Sequence, residues 1–179
     1  MIRYAILTVS DKGARGERED RSGPAIREML PDPPYRLHSY QILPDEREEI
    51  ARALKELADE NQVDLVLTTG GTGLAPRDVT PEATAEVIER EVPGLVEAMR
   101  MEGLRVTPLA MLSRAVAGIR KETLIVNLPG SPKGVRENLA VILPVLPHAI
   151  EKLLGDPGEC GKEEGIPSSG VRLESCTSE

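Results

Sequence analysis

The sequence predicts an α/β fold: one domain built as a three-layer sandwich, with a mainly parallel sheet flanked by helices. Three observations carry this prediction. Short apolar runs of strand length alternate along the chain with longer segments whose apolar residues fall at helical spacing. Several of those runs are apolar throughout, as a strand covered on both faces requires. Glycines, prolines and N-cap residues cluster just past the runs, at the strand ends where such sheets bind ligands.

In chain order, Tyr4 to Val9 (YAILTV) is bounded by Ser10-Asp11 and reads as a buried strand. The charged stretch Lys12 to Gly23 (KGARGEREDRSG) reads as a mobile loop, and Pro24 to Leu30 as a helix with Ser22 near its cap. Tyr35 to Leu43 is a second strand. Glu46 to Asp59 carries Ile50, Ala51, Leu54, Leu57 and Ala58 on one face, opposite charged residues, and reads as an amphipathic helix. Val63 to Thr68 is the third strand, and it runs into LTTGGTGLAPRDVTPEAT (Leu67 to Thr84). Helices are expected at Pro81 to Glu91, Pro93 to Gly103 and Pro108 to Ala117. Leu124 to Leu128 is a fourth strand, followed by helices at Pro132 to Leu143 and Val145 to Leu154. The domain is therefore read as residues 1–154, and the Gly-, Ser-, Glu- and Pro-rich remainder to residue 179 as a disordered tail.

Composition narrows the function. Aromatic residues are 2% of the 179, confined to Tyr4, Tyr35 and Tyr40, so the core must be aliphatic. The same shortage removes the stacking platforms of single-stranded nucleic-acid binders, and a net charge of −8 disfavours a polyphosphate backbone as partner. Asp11 and Lys12 cut off the first apolar run, and no stretch approaches the ~20 apolar residues of a membrane span. The two cysteines, Cys160 and Cys176, lie in the tail, and only His38 and His148 could otherwise serve zinc. The expectation is a cytoplasmic protein that binds neither nucleic acid nor membrane.

The motif Gly70-Gly71-Thr72-Gly73 has neither the Lys-Ser/Thr of a P-loop nor the spacing of a dinucleotide fold. Glycines at a strand end let backbone N–H groups converge on an anion, although a tight turn without a ligand reads the same way. Thr80-Pro81 adds an N-cap and a first helical residue, which would bring a helix N-terminus to the same place. Asn127-Leu128-Pro129-Gly130-Ser131-Pro132 repeats the arrangement after the fourth strand, with Ser131 as cap. Two such elements on one rim suggest two anion sites. Asp45 and Glu48 fit a capping box, so Asp45 reads first as a cap. Asp78 lies in a Pro-bracketed loop where no helix needs it. A carboxylate beside a phosphate cradle repels the ligand unless a cation intervenes, which points to Mg²⁺. Glu82 complements the helix dipole, and Ser10-Asp11 is either a loop start or a contact on the same rim. His148 reads as a packed helix residue, whereas Arg114 stays open between an ion pair and a substrate contact.

Taken together, TTGGTGLAPRDVTPEAT and NLPGSPKG resemble the molybdopterin adenylyltransferase family of the MogA/MoaB type, and the equivalent domains of gephyrin and the plant molybdenum-cofactor enzyme. The resemblance extends to LTVSDKG, EDRSG, LPDE, VTPLAMLSRAVAGIR and LPVLPHAI, and covers residues 1–154. It implies transfer of AMP from ATP to the terminal phosphate of molybdopterin, with Mg²⁺ as cofactor and adenylylated molybdopterin passed to a molybdate-insertion enzyme. It implies a homotrimer. It assigns catalytic and metal-binding roles to Asp45 and Asp78, which makes Asp45 more than a cap. Substrate-binding positions fall on Ser10, Asp11, Gly70, Gly71, Thr72, Gly73, Thr80, Glu82, Pro129, Gly130 and Ser131. The alternative from another class is a non-catalytic molybdopterin-binding or scaffold protein of the same fold.

Overall fold

The computed structural model describes residues 1–155; the expected tail beyond them, with Cys160 and Cys176, lies outside the described residues. The elements run β1 (Ile2–Val9), α1 (Asp11–Ala14), α2 (Ser22–Met29), β2 (Tyr35–Leu43), α3 (Arg47–Asp59), β3 (Leu65–Thr69), α4 (Thr80–Val87), β4 (Arg90–Glu91), α5 (Pro93–Val106), a 3₁₀ turn (Pro108–Leu112), β5 (Ala117–Arg120), β6 (Thr123–Leu128), α6 (Pro132–Ile142) and α7 (Leu146–Leu153). They form a three-layer sandwich around a sheet of order β2-β1-β3-β6-β5-β4. β2, β1, β3 and β6 are mutually parallel, and β5 and β4 join antiparallel at one edge.

Side-chain alternation along the central strands separates two cores. Tyr4, Ile6, Leu65, Leu67, Leu124, Val126 and Leu128 face α2, α5, α6 and α7. Ala5, Leu7, Val9, Val66 and Ile125 face α3 and α4. Burying an aliphatic side chain of this size contributes about 1.5–3 kcal/mol, and here the central strands supply such groups to both faces. This explains why their sequences are apolar at every position.

Three stretches depart from the sequence reading, the first being the loop expected at Lys12–Gly23, whose two ends belong to α1 and to α2, the latter starting at Ser22. The helix expected at Pro81–Glu91 stops at Val87, because Ile88 turns extended and Glu89 N–H donates to the Ile119 carbonyl. Only the 3₁₀ turn remains of the helix expected at Pro108–Ala117. Ala117 onward pairs instead with β6 as a hairpin, turning at Lys121 with a left-handed φ of 50°. Both missed strands are short and antiparallel, and their apolar content is too small to announce them.

The structure also contains a buried polar link that no local pattern shows. Asn127 on β6 is fully buried, and its side-chain N–H₂ donates to the hydroxyls of Thr68 on β3 and Thr84 on α4, each at 2.9 Å. Its carbonyl accepts from Val116 N–H at 3.1 Å, and the Thr84 hydroxyl passes a bond on to the Thr80 carbonyl. One side chain thus ties two strands, a helix and the entrance to β5. Asn127→Leu would fill the same space but leave those groups unpaired, at about 1–3 kcal/mol for each buried group. We expect a loss of ~3 kcal/mol or more in urea unfolding; a variant as stable as the parent would show that the network is expendable.

Candidate active site

The strand order places a topological switch point between β1 and β3, whose following loops leave in opposite directions. A cleft of about 520 Å³ opens there, at the carboxyl ends of the parallel strands. It is lined by Ser10 after β1, Asp45 after β2, Gly70, Gly71 and Asp78 after β3, and Gly130 after β6. Asp20 and Ser22 close its other side. The two glycine turns inferred from the sequence are therefore neighbours on one rim.

Their glycines answer to space as well as to conformation. Gly70 has φ 97°, and a Cβ there would stand 2.2 Å from the Val9 carbonyl oxygen. Gly71 has φ 61°, and its Cβ would stand 2.4 Å from the Thr80 hydroxyl. Such angles favour glycine, and the close approach requires it. The carbonyls of the rim are taken up by hydroxyls: Thr80 donates to Gly70 O at 2.9 Å, Thr69 to Pro129 O at 2.6 Å and Ser22 to Gly130 O at 2.8 Å. Oxygens that would repel an anion are thereby engaged elsewhere. Thr80 does not cap α4, contrary to the sequence reading. It is the first helical residue, and Val79 precedes it without a side-chain cap. The Gly70 carbonyl, distant in sequence, takes its hydroxyl instead. Ser131 does cap α6, accepting from Gly134 N–H at 3.0 Å.

Asp45 is not a cap either. α3 starts after Glu46 with no side-chain cap. The Asp45 carboxylate accepts from Asp11 N–H at 2.8 Å, while Asp45 N–H donates to the Asp11 carboxylate at 3.1 Å. This reciprocal pair, unavailable to any local pattern, wins over the capping box. The other Asp45 oxygen lies beside Gly71, 3.2 Å from where a Cβ would be. Asp78 accepts from Ala75 N–H at 2.8 Å, closing its own loop. Arg77, which the sequence reading passed over, bridges Asp11 and Glu46, both at 2.9 Å. The two paired aspartates shift in opposite directions. Arg77 bonds to Asp11 and holds its carboxyl below the usual range. Burial pushes the Asp45 carboxyl up, and the charges of Asp11 and Asp78 add to the rise.

Of the other sequence-predicted residues, Thr72, Gly73, Pro129 and Ser131 line a second depression of about 370 Å³ together with Lys133, whereas Asp11, Thr80 and Glu82 line neither hollow. Arg114 bonds to a residue of each hollow. Its guanidinium donates to the Gly73 carbonyl at 2.6 Å and to the Asp78 carbonyl, and it pairs with Glu82. Arg114 N–H also donates to Thr72 O at 3.0 Å. The question left open by the sequence resolves to a clamp on the glycine loop, with Glu82 as its partner.

Among the described residues no group of three or more His, Cys, Asp or Glu side chains is arranged to hold a metal alone. Mg²⁺ needs less, since it keeps waters and phosphate oxygens beside one or two carboxylates. Asp45 and Asp78, which both line the cleft, fit that need, and burial together with the charges of Asp11 and Asp78 disfavours the ionised form of Asp45 despite the nearby Arg77. No helix among the described residues is long and apolar enough to cross a membrane.

Residues 5–148 match the family described as a probable molybdopterin binding domain. The chain is 47% identical over 158 residues to the molybdopterin adenylyltransferase of Helicobacter pylori strain J99, covering 87% of this chain and 89% of that protein. Among solved structures it resembles the molybdopterin biosynthesis enzyme MoaB of Thermus thermophilus. There the identity is 58% and the TM-score 0.83, over 89% of this chain and 100% of that one. The tungsten cofactor synthesizing protein MoaB of Pyrococcus furiosus is 36% identical with a TM-score of 0.77, over 85% and 96% respectively. Catalysts dominate these names, which favours the enzyme over a non-catalytic scaffold.

The raised Asp45 carboxyl has a consequence for stability. An acid whose folded pKa lies above its unfolded value stabilises the fold while protonated, and that contribution is lost as pH rises through the folded pKa. Asp45→Asn removes the ionised form, so without divalent cations the variant should melt higher than the parent at pH 7. The difference should vanish below about pH 4, where the unfolded carboxyl is protonated too. Thermal melts across this range check it; a variant melting lower at pH 7 would mean that the Asp11 pairing outweighs the repulsion.

Proposed function

Because the chain belongs to the molybdopterin-binding family, we propose that it works as a molybdopterin adenylyltransferase in molybdenum cofactor biosynthesis. AMP passes from ATP to the terminal phosphate of molybdopterin, and pyrophosphate leaves. The observation that carries this reading is the pair of glycine turns set side by side at the switch point, with Asp45 and Asp78 at their edge. The attacking group is a phosphate oxygen already ionised at neutral pH, so no side chain has to serve as nucleophile. Such a transfer depends on placing two anions in line and offsetting their charge.

In this reading the Gly70–Gly73 turn and Ser10-Asp11 hold the triphosphate, and the Pro129–Ser131 turn at the start of α6 receives the second phosphate. Arg114 keeps Gly73 and Asp78 in fixed relation through its three bonds. Asp45 and Asp78 would hold Mg²⁺ together with triphosphate oxygens, and the ion would neutralise charge on the α-phosphate and the departing pyrophosphate. Burial of Asp45 strengthens that attraction, because partial removal from water weakens the carboxylate's competing hydration.

A cytoplasmic homotrimer, with its product handed to a molybdate-insertion enzyme, completes the proposal. Exposed Met101, Leu104, Val106, Leu109, Met111 and Leu112 cluster at the end of α5 and the 3₁₀ turn, and such a patch gains from a neighbouring subunit. The decisive assay is pyrophosphate release from Mg-ATP that depends on added molybdopterin. Release that is absent, or indifferent to molybdopterin, would overturn the reading. Asp78→Asn keeps an acceptor for Ala75 N–H, so its melting temperature should stay near the parent's, while turnover falls by ~100-fold or more. Initial rates within a few-fold of the parent would remove Asp78 from the chemistry.

A further inference from the structure

The cleft holds one more carboxylate whose partners differ from those of Asp45 and Asp78. Asp20 lies in the segment that the sequence read as a mobile loop, and it is anchored on three sides. Its carboxylate accepts from the Thr8 hydroxyl on β1 at 2.6 Å and from the Tyr40 hydroxyl on β2. It also accepts from Ser22 N–H at 2.8 Å and Gly23 N–H at 3.2 Å, where α2 begins. Both oxygens are engaged, which leaves Asp20 poorly suited to hold a cation. Burial disfavours its charge, yet the bonds from Thr8, Tyr40 and the two amides outweigh that and keep the carboxyl below its usual range.

The position of α2 depends on this arrangement. Arg21 offers no side-chain cap, so the first amides of the helix rely on Asp20. Gly23 packs so closely that a Cβ would stand 2.6 Å from the Tyr40 ring and 2.7 Å from the Asp20 carboxylate. With the helix start fixed, the Ser22 hydroxyl reaches the Gly130 carbonyl at 2.8 Å. Gly130 in turn lies against Gly70, whose Cα would be 3.1 Å from a Cβ on Gly130. A continuous line of contacts runs from Asp20 through Ser22 to both glycine turns.

We propose that Asp20 is a positioning residue: it sets the start of α2 so that Ser22 holds the Gly130 turn in register with the Gly70 turn. The inference rests on the reading of this cleft as the phosphate site. It differs from a simple helix cap in a testable way. Asparagine caps a helix well, so Asp20→Asn would be harmless if capping were all. Its amide nitrogen cannot accept from Thr8 or Tyr40, so a positioning role would suffer.

The test uses the full chain carrying Asp20→Asn, Ser22→Ala or both. Hydrogen exchange over residues 129–134 and the Kd for Mg-ATP are measured, with melting temperature as a control. Each single variant should speed exchange and weaken ATP binding by ~10-fold, the scale of one lost hydrogen bond. The double variant should be no worse than the poorer single, because both act along one line. Additive losses, or unchanged exchange in Ser22→Ala, would overturn the proposal. If Asp20→Asn fails to fold, Tyr40→Phe removes one donor only and should show the same change in smaller measure; unchanged exchange there would also overturn it. A parent that binds no ATP would count against the proposed function, whereas the exchange measurements would still decide the role of Asp20.

Discussion

The structure depends on a close approach of bare backbone. Gly70 leaves β3 against the Val9 carbonyl of β1, with no room there for a side chain, and packs tightly against Gly130 after β6. Three strands therefore end in register at one spot. Packing backbone so tightly would stack carbonyl oxygens together, which is tolerable only if each finds a donor. Thr80, Thr69 and Ser22 provide those donors from three different elements. The small buried hydroxyls around the rim thus follow from the glycines.

Charge is divided with similar economy. Of the carboxylates at the rim, Asp11 has Arg77 and Asp20 has hydroxyl and amide donors, so both remain comfortably ionised. Asp45 gains only one N–H and faces two like charges. The rim therefore holds one carboxylate, Asp45, whose charge is less relieved than those of Asp11 and Asp20. Arg77 also explains how a net-negative chain keeps its loops together there, by tying the ends of β1 and β2 to the loop after β3.

The central strands, the amphipathic α3 and both glycine turns were legible because each has a local chemical cause: apolar runs, helical periodicity, turn residues. The Ser131 cap was legible for the same reason, since donor and acceptor lie three residues apart. Asp45 and Thr80 carry equally good capping patterns, but their partners, Asp11 and Gly70, come from elsewhere in the chain and prevail. β5 was hidden because a strand of four residues in a hairpin has too little pattern to outweigh a helix-compatible stretch. Asp20 carries little local signal of its role. Its donors arrive from β1, β2 and α2, and only the Asp-x-Ser-Gly spacing before a helix hinted at the bonds to Ser22 and Gly23.

The placement of β1 at the centre of the parallel sheet bears on how the chain acquires its structure. β1 is synthesised before both of its partners, since it pairs with β2 at a separation of some thirty residues and with β3 at about sixty. Until Thr69 has emerged, YAILTV is an aliphatic, strand-forming segment with one or both edges bare, which is the kind of sequence that self-associates. The charged residues that follow it, Asp11 to Asp20, are then more than a rim for the cleft. On a nascent chain they flank the exposed strand with hydrated charged side chains of both signs, the kind of flank that opposes stacking of an apolar strand.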